Sequence, residues 1–172
     1  MNVIPEVVSN YRVYDGAGSV MLGTGAEYTL PTFSNKTATI DGAGIAGDYE
    51  APVLGHFNAV STTLNFNIQN RDYASVSGNE ESTYVLRGVV QAWDKAQGRT
   101  RLMPFRITLR GRPTETNDGT LQVASRTNAS VTMSVLYYKF VLDGETLREW
   151  DVLNMIYVVN GVDMLAEYRD SM

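Results

Sequence analysis

Cysteine is absent from this chain of 172 residues, which removes disulfide frameworks, thiolate zinc sites and thiol nucleophiles together and leaves a reducing compartment permissible. Histidine occurs once, at His56. Any Ser-His-Asp arrangement would have to use it, and it sits between Gly55 and Phe57 with no nucleophile-elbow motif nearby, so an enzyme of that kind is not expected. Carboxylates never fall at the spacing of a calcium loop or a helical zinc motif, so neither metal nor cofactor is expected. Long apolar runs are missing too. The best, Val152 to Val159, is interrupted by Asn154 and falls well short of the ~18 residues of a membrane helix. The opening Met-Asn-Val-Ile-Pro-Glu lacks a cationic region ahead of a long apolar stretch, so no signal peptide and no membrane partner are expected. Without that signal, the glycosylation-like triplets at Asn35 and Asn128 read as chance matches.

What is present is 44% hydrophobic, 10% aromatic and 19% charged residues in 19.0 kDa, the profile of one globular domain over residues 1–172. A compact monomer of that mass exposes roughly 8,000 Å². The formal charge of −5 divides unevenly: −6 over residues 1–86, +6 over 87–113 and −5 over 114–172. The basic middle reads as the polar face of a hairpin or as half of a complementary contact between copies; it holds too few bases, and no stacking motif, for a nucleic-acid patch.

Val, Ile and Thr recur with period two, which predicts a β-rich chain with one short helix. Strands are expected at Tyr11–Tyr14, Ser19–Leu22, Gly25–Leu30, Ser34–Asp41 and Thr62–Gln69, the last with Leu64, Phe66 and Ile68 facing inward. The helix is placed over Arg71–Val76. A hairpin follows at Tyr84–Asp94 and Arg99–Leu109, with Pro104, which has no amide to donate, marking an edge or a bulge. Pro113–Gly119 reads as a loop. Ser130–Leu142 changes apolar phase near Tyr137, as a bulge would produce, and Glu145–Asp151 and Val152–Val159 read as consecutive strands. Val162–Arg169 fits either a strand or a turn of helix.

Gly42-Ala43-Gly44-Ile45-Ala46-Gly47 matches the spacing of a dinucleotide loop, but a helix must open at its third glycine, and Asp48-Tyr49-Glu50-Ala51-Pro52 stands there instead. The glycine-rich stretch from Gly42 to Gly55 suggests backbone that packs closely on another surface.

Tyr137-Tyr138-Lys139, Leu142-Asp143-Gly144, Asp151-Val152-Leu153-Asn154-Met155 and the run from Val159 to Arg169 resemble the closing region of the major tail tube proteins of contractile-tailed phages. The remaining segments agree in order over essentially the whole chain, with a longer stretch at Tyr73–Thr83. The resemblance extends to contractile bacteriocins and, distantly, to type VI secretion tubes. It implies a β-sandwich or half-barrel subunit whose hexameric rings close a continuous lumenal β-barrel and stack into a tube for DNA or protein. Implied partners are further copies of the chain, a sheath, a baseplate hub and a tape-measure protein, with DNA only as a non-specific passenger; the implied location is a virion tail or tail-like particle assembled in the bacterial cytoplasm.

Under that reading Gly42, Gly44, Ile45, Gly47, Tyr49, Pro52 and Gly55 form the ring-stacking loop. The uncharged Thr63, Asn65, Asn67, Gln69, Ser130, Thr132 and Ser134 line the lumen, where basic groups would grip phosphates. Arg99, Arg101, Arg106 and Arg110 make charged contacts between subunits. A monomeric β-sandwich binding or adhesion module remains the alternative, since exposed tyrosines suit a ligand site as well as an interface.

Overall fold

The structure, a computed structural model, describes residues 2–172. Ten strands and two short helices follow in the order β1 (Val3–Asp15), β2 (Asn35–Ile40), β3 (Tyr49–Phe57), β4 (Ser61–Phe66), α1 (Arg71–Val76), β5 (Ser82–Asp94), β6 (Arg99–Asn117), β7 (Ala129–Leu142), β8 (Glu145–Asp151), β9 (Ile156–Val159), β10 (Val162–Asp163) and α2 (Ala166–Asp170). The chain is therefore mainly β, with two helices where the sequence suggested one. The C-terminal segment is both of its readings in succession, a two-residue strand and then a helical turn.

Eight strands form one antiparallel sheet ordered β1-β5-β6-β7-β8-β9-β10, with β4 on β7. The first half of β7 (Ala129–Ser134) pairs with β4, and its second half (Tyr137–Leu142) pairs with β8. The handover falls at a bulge: Arg110 faces Tyr137 and Gly111 faces Val135, leaving Leu136 extra. One added residue inverts every later side chain, so Ala129, Val131, Met133 and Val135 point inward before it and Tyr138 after it. This is the phase change expected near Tyr137. The inward faces of β1, β4, β5, β6 and β7 meet in one cluster that includes Val13, Leu64, Phe66, Tyr84, Leu109 and Met133, and Tyr73 and Val76 of α1 join it. The sheet therefore curls around its own apolar face. Helix α1 starts where Asn70 accepts the Tyr73 amide at 2.9 Å, an N-cap that satisfies an otherwise unpaired donor.

Several expected boundaries differ. Gly25–Leu30 is irregular and Ser19–Leu22 reduces to an isolated Tyr14–Val20 bridge. Strand β4 ends at Phe66, so Ile68 is exposed and does not extend the Leu64–Phe66 face. Strand β6 runs through Pro113 to Asn117, because β7 continues to pair with it there. The chain turns at residues 152–155 before β9, where the buried Asp151 carboxylate accepts the Leu153 and Asn154 amides, each at 3.0 Å, and the Asn154 side-chain amide at 2.7 Å. Pro104 lies neither on an edge strand nor at a bulge of the β5–β6 ladder. Its carbonyl accepts from Asp143 at 2.8 Å, so its nitrogen faces the same side, past the end of β7, where no ladder acceptor awaits a donor.

Strands β2 and β3 pair only with each other. This hairpin arm is rooted in an aromatic cluster: Phe57 packs edge-on against Trp150 and Tyr157, with centroids 5.9 and 5.1 Å apart, and Phe33 against Tyr138 and Trp150, both at 5.2 Å. Each such pair adds ~0.5–1.5 kcal/mol beyond its buried area. The arm beyond that root is mostly exposed. The total accessible surface is 11098 Å², well above the roughly 8,000 Å² of a compact monomer; the arm is mostly exposed and β1 leaves one edge uncovered.

Candidate assembly surfaces

The glycine-rich stretch is two structures. Gly42, Gly44, Ile45 and Gly47 lie in the exposed tip over residues 41–48, whereas Tyr49, Pro52 and Gly55 belong to β3, with Tyr49 facing Ile40 and Pro52 facing Thr37. Gly42 and Gly44 have φ of 151° and 91° and open space around them. Gly55, with φ of 79°, lies against Tyr168 of α2, where a Cβ would sit 3.3 Å from the ring. Ile45, Tyr49 and Leu54 are exposed apolar side chains along the arm. Asp41, Asp48 and Glu50 flank its tip, and no ion pair holds them among the described residues.

The uncharged polar set is brought together in part. Thr63 faces Thr132, with their hydroxyl oxygens 3.1 Å apart, and Asn65 faces Ser130. Ser134 lies on the same side, one pair along. Asn67 and Gln69 fall beyond the end of β4; the Gln69 side chain donates to the Asp118 carbonyl at 3.0 Å, and Arg126 donates to the Asn67 side chain at 3.3 Å. Across β7 the stripe meets charge, with Arg112 opposite Ser134 and Glu115 opposite Thr132.

The four arginines do not form one patch. Arg99 and Arg101 share one face of β6, and Arg106 and Arg110, at even positions in an unbroken register, occupy the other. Arg101 is paired with Asp143. Arg110 lies over the Tyr137 ring with its Nε 3.0 Å from Glu81, off the angle for a hydrogen bond. Arg99 and Arg106 have no carboxylate within ion-pair distance among the described residues.

Buried hydroxyls serve the interior. The Tyr28 oxygen lies 2.6 Å from both Thr62 and Tyr84. Loss of water around its ring pushes the Tyr28 phenol up to about 12, and burial raises Tyr84 as well. Tyr73 donates to Asp118 at 2.5 Å, and that bond to a carboxylate, ahead of burial, lifts its phenol to about 12. Burial, with the bond to Glu149, does the same for Tyr137. Among the described residues no three His, Asp or Glu side chains gather as metal ligands, and no helix is long and apolar enough to cross a membrane.

The profile of phage tail tube protein FII matches residues 5–172. The chain belongs to that family. The tail tube protein of Escherichia phage P2 is 25% identical over 153 residues, covering 86% of each chain. The major tail tube protein of Serratia phage KSP20 is 26% identical over 174 residues, covering 95% of this chain and 93% of that one. Among solved structures, a chain of the anti-feeding prophage baseplate gives a TM-score of 0.49 at 11% identity, covering 80% of this chain and 95% of that one. A chain of the PVC sheath-tube complex gives 0.45 at 14%, covering 80% and 90%.

A tail tube protein is a structural component of a phage tail or tail-like particle, not an enzyme, so its functional surfaces are contacts. The structure exposes two further surfaces, of which the sequence reading singled out only the basic residues of 87–113. The loop between β6 and β7 carries Leu121 and Val123 almost fully exposed. The solvent face of β1, β5 and β6 carries Ile4, Val7, Trp93 and Leu102 at one end and Arg12, Arg87 and Arg106 further along. Apolar Val89 and Trp93 on the same side of β5 as Arg87 were the available signal.

Proposed function

We propose that this tube protein forms hexameric rings that stack into the inner tube of a contractile tail, with a lumen that passes DNA or protein. The observation that carries this is the surface excess: 11098 Å² against roughly 8,000 Å² for a self-contained monomer. Two exposed features are suited to copies of the same chain. One is the β1 edge, open from Val3 to about Arg12, with Val7 and Val8 exposed. Such an edge invites pairing, and ring closure edge to edge would cover it and extend the sheet into a barrel around the lumen. The other is the arm, whose tip at Gly42, Gly44, Ile45 and Gly47, with Tyr49, Pro52 and Gly55 behind it, reaches the next ring.

The neutral stripe of Thr63, Asn65, Ser130, Thr132 and Ser134, continued by Asn67 and Gln69, faces the lumen and lets a polyanion slide. Arg99 and Arg106 meet acids of a neighbour; Arg101 and Arg110 reach theirs by exchanging Asp143 and Glu81. A sheath, a baseplate hub and a tape-measure protein complete the assembly, which is built in the bacterial cytoplasm.

Negative-stain microscopy of the concentrated protein, alone and beside its sheath and baseplate proteins, tests this reading. Rings or hollow rods are expected. Featureless monomers under every condition overturn it.

A further inference from the structure

On the solvent face of the large sheet, Arg12 stands directly opposite Arg87, and Arg87 directly opposite Arg106. Like charges in register across a ladder repel, and an ordinary sheet surface places an acid between them. Here none of the three has a carboxylate within ion-pair distance among the described residues. Arg87 rests over the Tyr14 ring at 4.8 Å, and the nearby Glu6 is held by the Gln91 side chain at 2.8 Å. Two and three same-face pairs along, the face turns apolar: Ile4, Val7, Trp93 and Leu102 are 43, 57, 40 and 62% exposed. A basic row beside an apolar patch, in a chain of net charge −5, is half of a contact.

The other half lies on the same chain. The arm presents Ile45 and Tyr49 exposed between Asp41, Asp48 and Glu50, with no Lys or Arg from residue 37 to 57. We infer that the face of β1, β5 and β6 is the receptor for the hairpin arm of a second copy, Ile45 and Tyr49 covering the apolar patch and the tip acids neutralising Arg12, Arg87 and Arg106. Charge selects this occupant. The competing protrusion, Leu121–Val123, is flanked by Arg126 and by Asp118, which already binds Tyr73. The inference rests on the arm as the ring-to-ring contact and adds where it lands and what holds it.

Two variants of the full chain test it, read by pelleting and microscopy beside the unmodified protein. Arg87→Glu with Arg106→Glu abolishes pelletable tubes while the far-UV spectrum and thermal midpoint stay those of the parent, and adding Asp48→Lys with Glu50→Lys restores them. Because the chain has no cysteine, Ile45→Cys with Leu102→Cys gives a ladder of covalent multimers when assembled protein meets a short bismaleimide. Tubes that survive the arginine reversal, or that form normally and give no ladder, overturn the contact and leave the tube reading intact. Loss of tubes that the arm reversal does not restore, again without a ladder, assigns the face to another partner such as a polyanion. If the unmodified chain never forms tubes, the tube reading falls and the contact with it.

Discussion

Gly55 packs the base of the hairpin arm against the Tyr168 ring, in a left-handed conformation where an added Cβ would crowd the ring at 3.3 Å. Strand β3 is thereby tied to α2, a contact between elements more than a hundred residues apart in sequence.

Gly55→Ala should cost ~1–2 kcal/mol for the left-handed backbone, plus a contribution from crowding Tyr168. Tyr168→Ala relieves only the crowding. A double-mutant cycle by urea unfolding should therefore show a coupling smaller than the whole loss; a Gly55→Ala variant as stable as the parent refutes the assignment.

At the β7 bulge, a Cβ on Gly111 would lie 2.2 Å from the Ser134 carbonyl oxygen, a backbone atom that cannot move aside. Gly111→Ala should lose ~1–3 kcal/mol or more. Gly98→Ala, with nothing around its Cβ, should lose only the smaller backbone penalty. Equal midpoints for the two would show that the close approach is not maintained in solution.

Asp151 turns the chain between β8 and β9 by accepting two backbone amides and the Asn154 side chain. Removing a buried acceptor strands its donors. Asp151→Ala is expected to cost ~1–3 kcal/mol, with Asp151→Asn less damaging because one acceptor oxygen remains. Amide exchange at Leu153 and Asn154 should accelerate locally before global unfolding does.

Alkaline stability follows from the phenols. Tyr28, Tyr73 and Tyr137 are held at about 12, against an ordinary value of 10.0, so between those pH values the unfolded chain has released protons that the folded one keeps. Stability is then fully present below pH ~10 and falls as pH rises toward ~12, by up to ~1.4 kcal/mol per pH unit for Tyr28, whose hydroxyl is the most deeply buried of the three, and by less for Tyr73 and Tyr137, whose hydroxyls solvent screens. Denaturant titrations with tyrosinate absorbance check this. Tyr28→Phe should flatten the slope, and stability constant from pH 9 to 12 would contradict it.

Surface pairs behave differently. Arg101 and Asp143 are both more than a third exposed, so Asp143→Asn should change stability by less than ~1 kcal/mol. It should also steepen the salt dependence of assembly, by freeing Arg101 for a neighbour.

Pattern and composition determined much by themselves. Residues of one kind at alternate positions can only face one side of a strand, so the β-rich class, the hairpin of β5 and β6, the position of α1 and the phase change near Tyr137 could be read along the chain. The closing region carried the family. What only the tertiary structure decided was register and reach. Whether Arg12, Arg87 and Arg106 stand in a row, whether Arg101 is already paired, and whether β3 leaves the body as an arm depend on which strands become neighbours. Neighbour choice is set by burial of the whole apolar face at once, and local sequence spacing does not encode it.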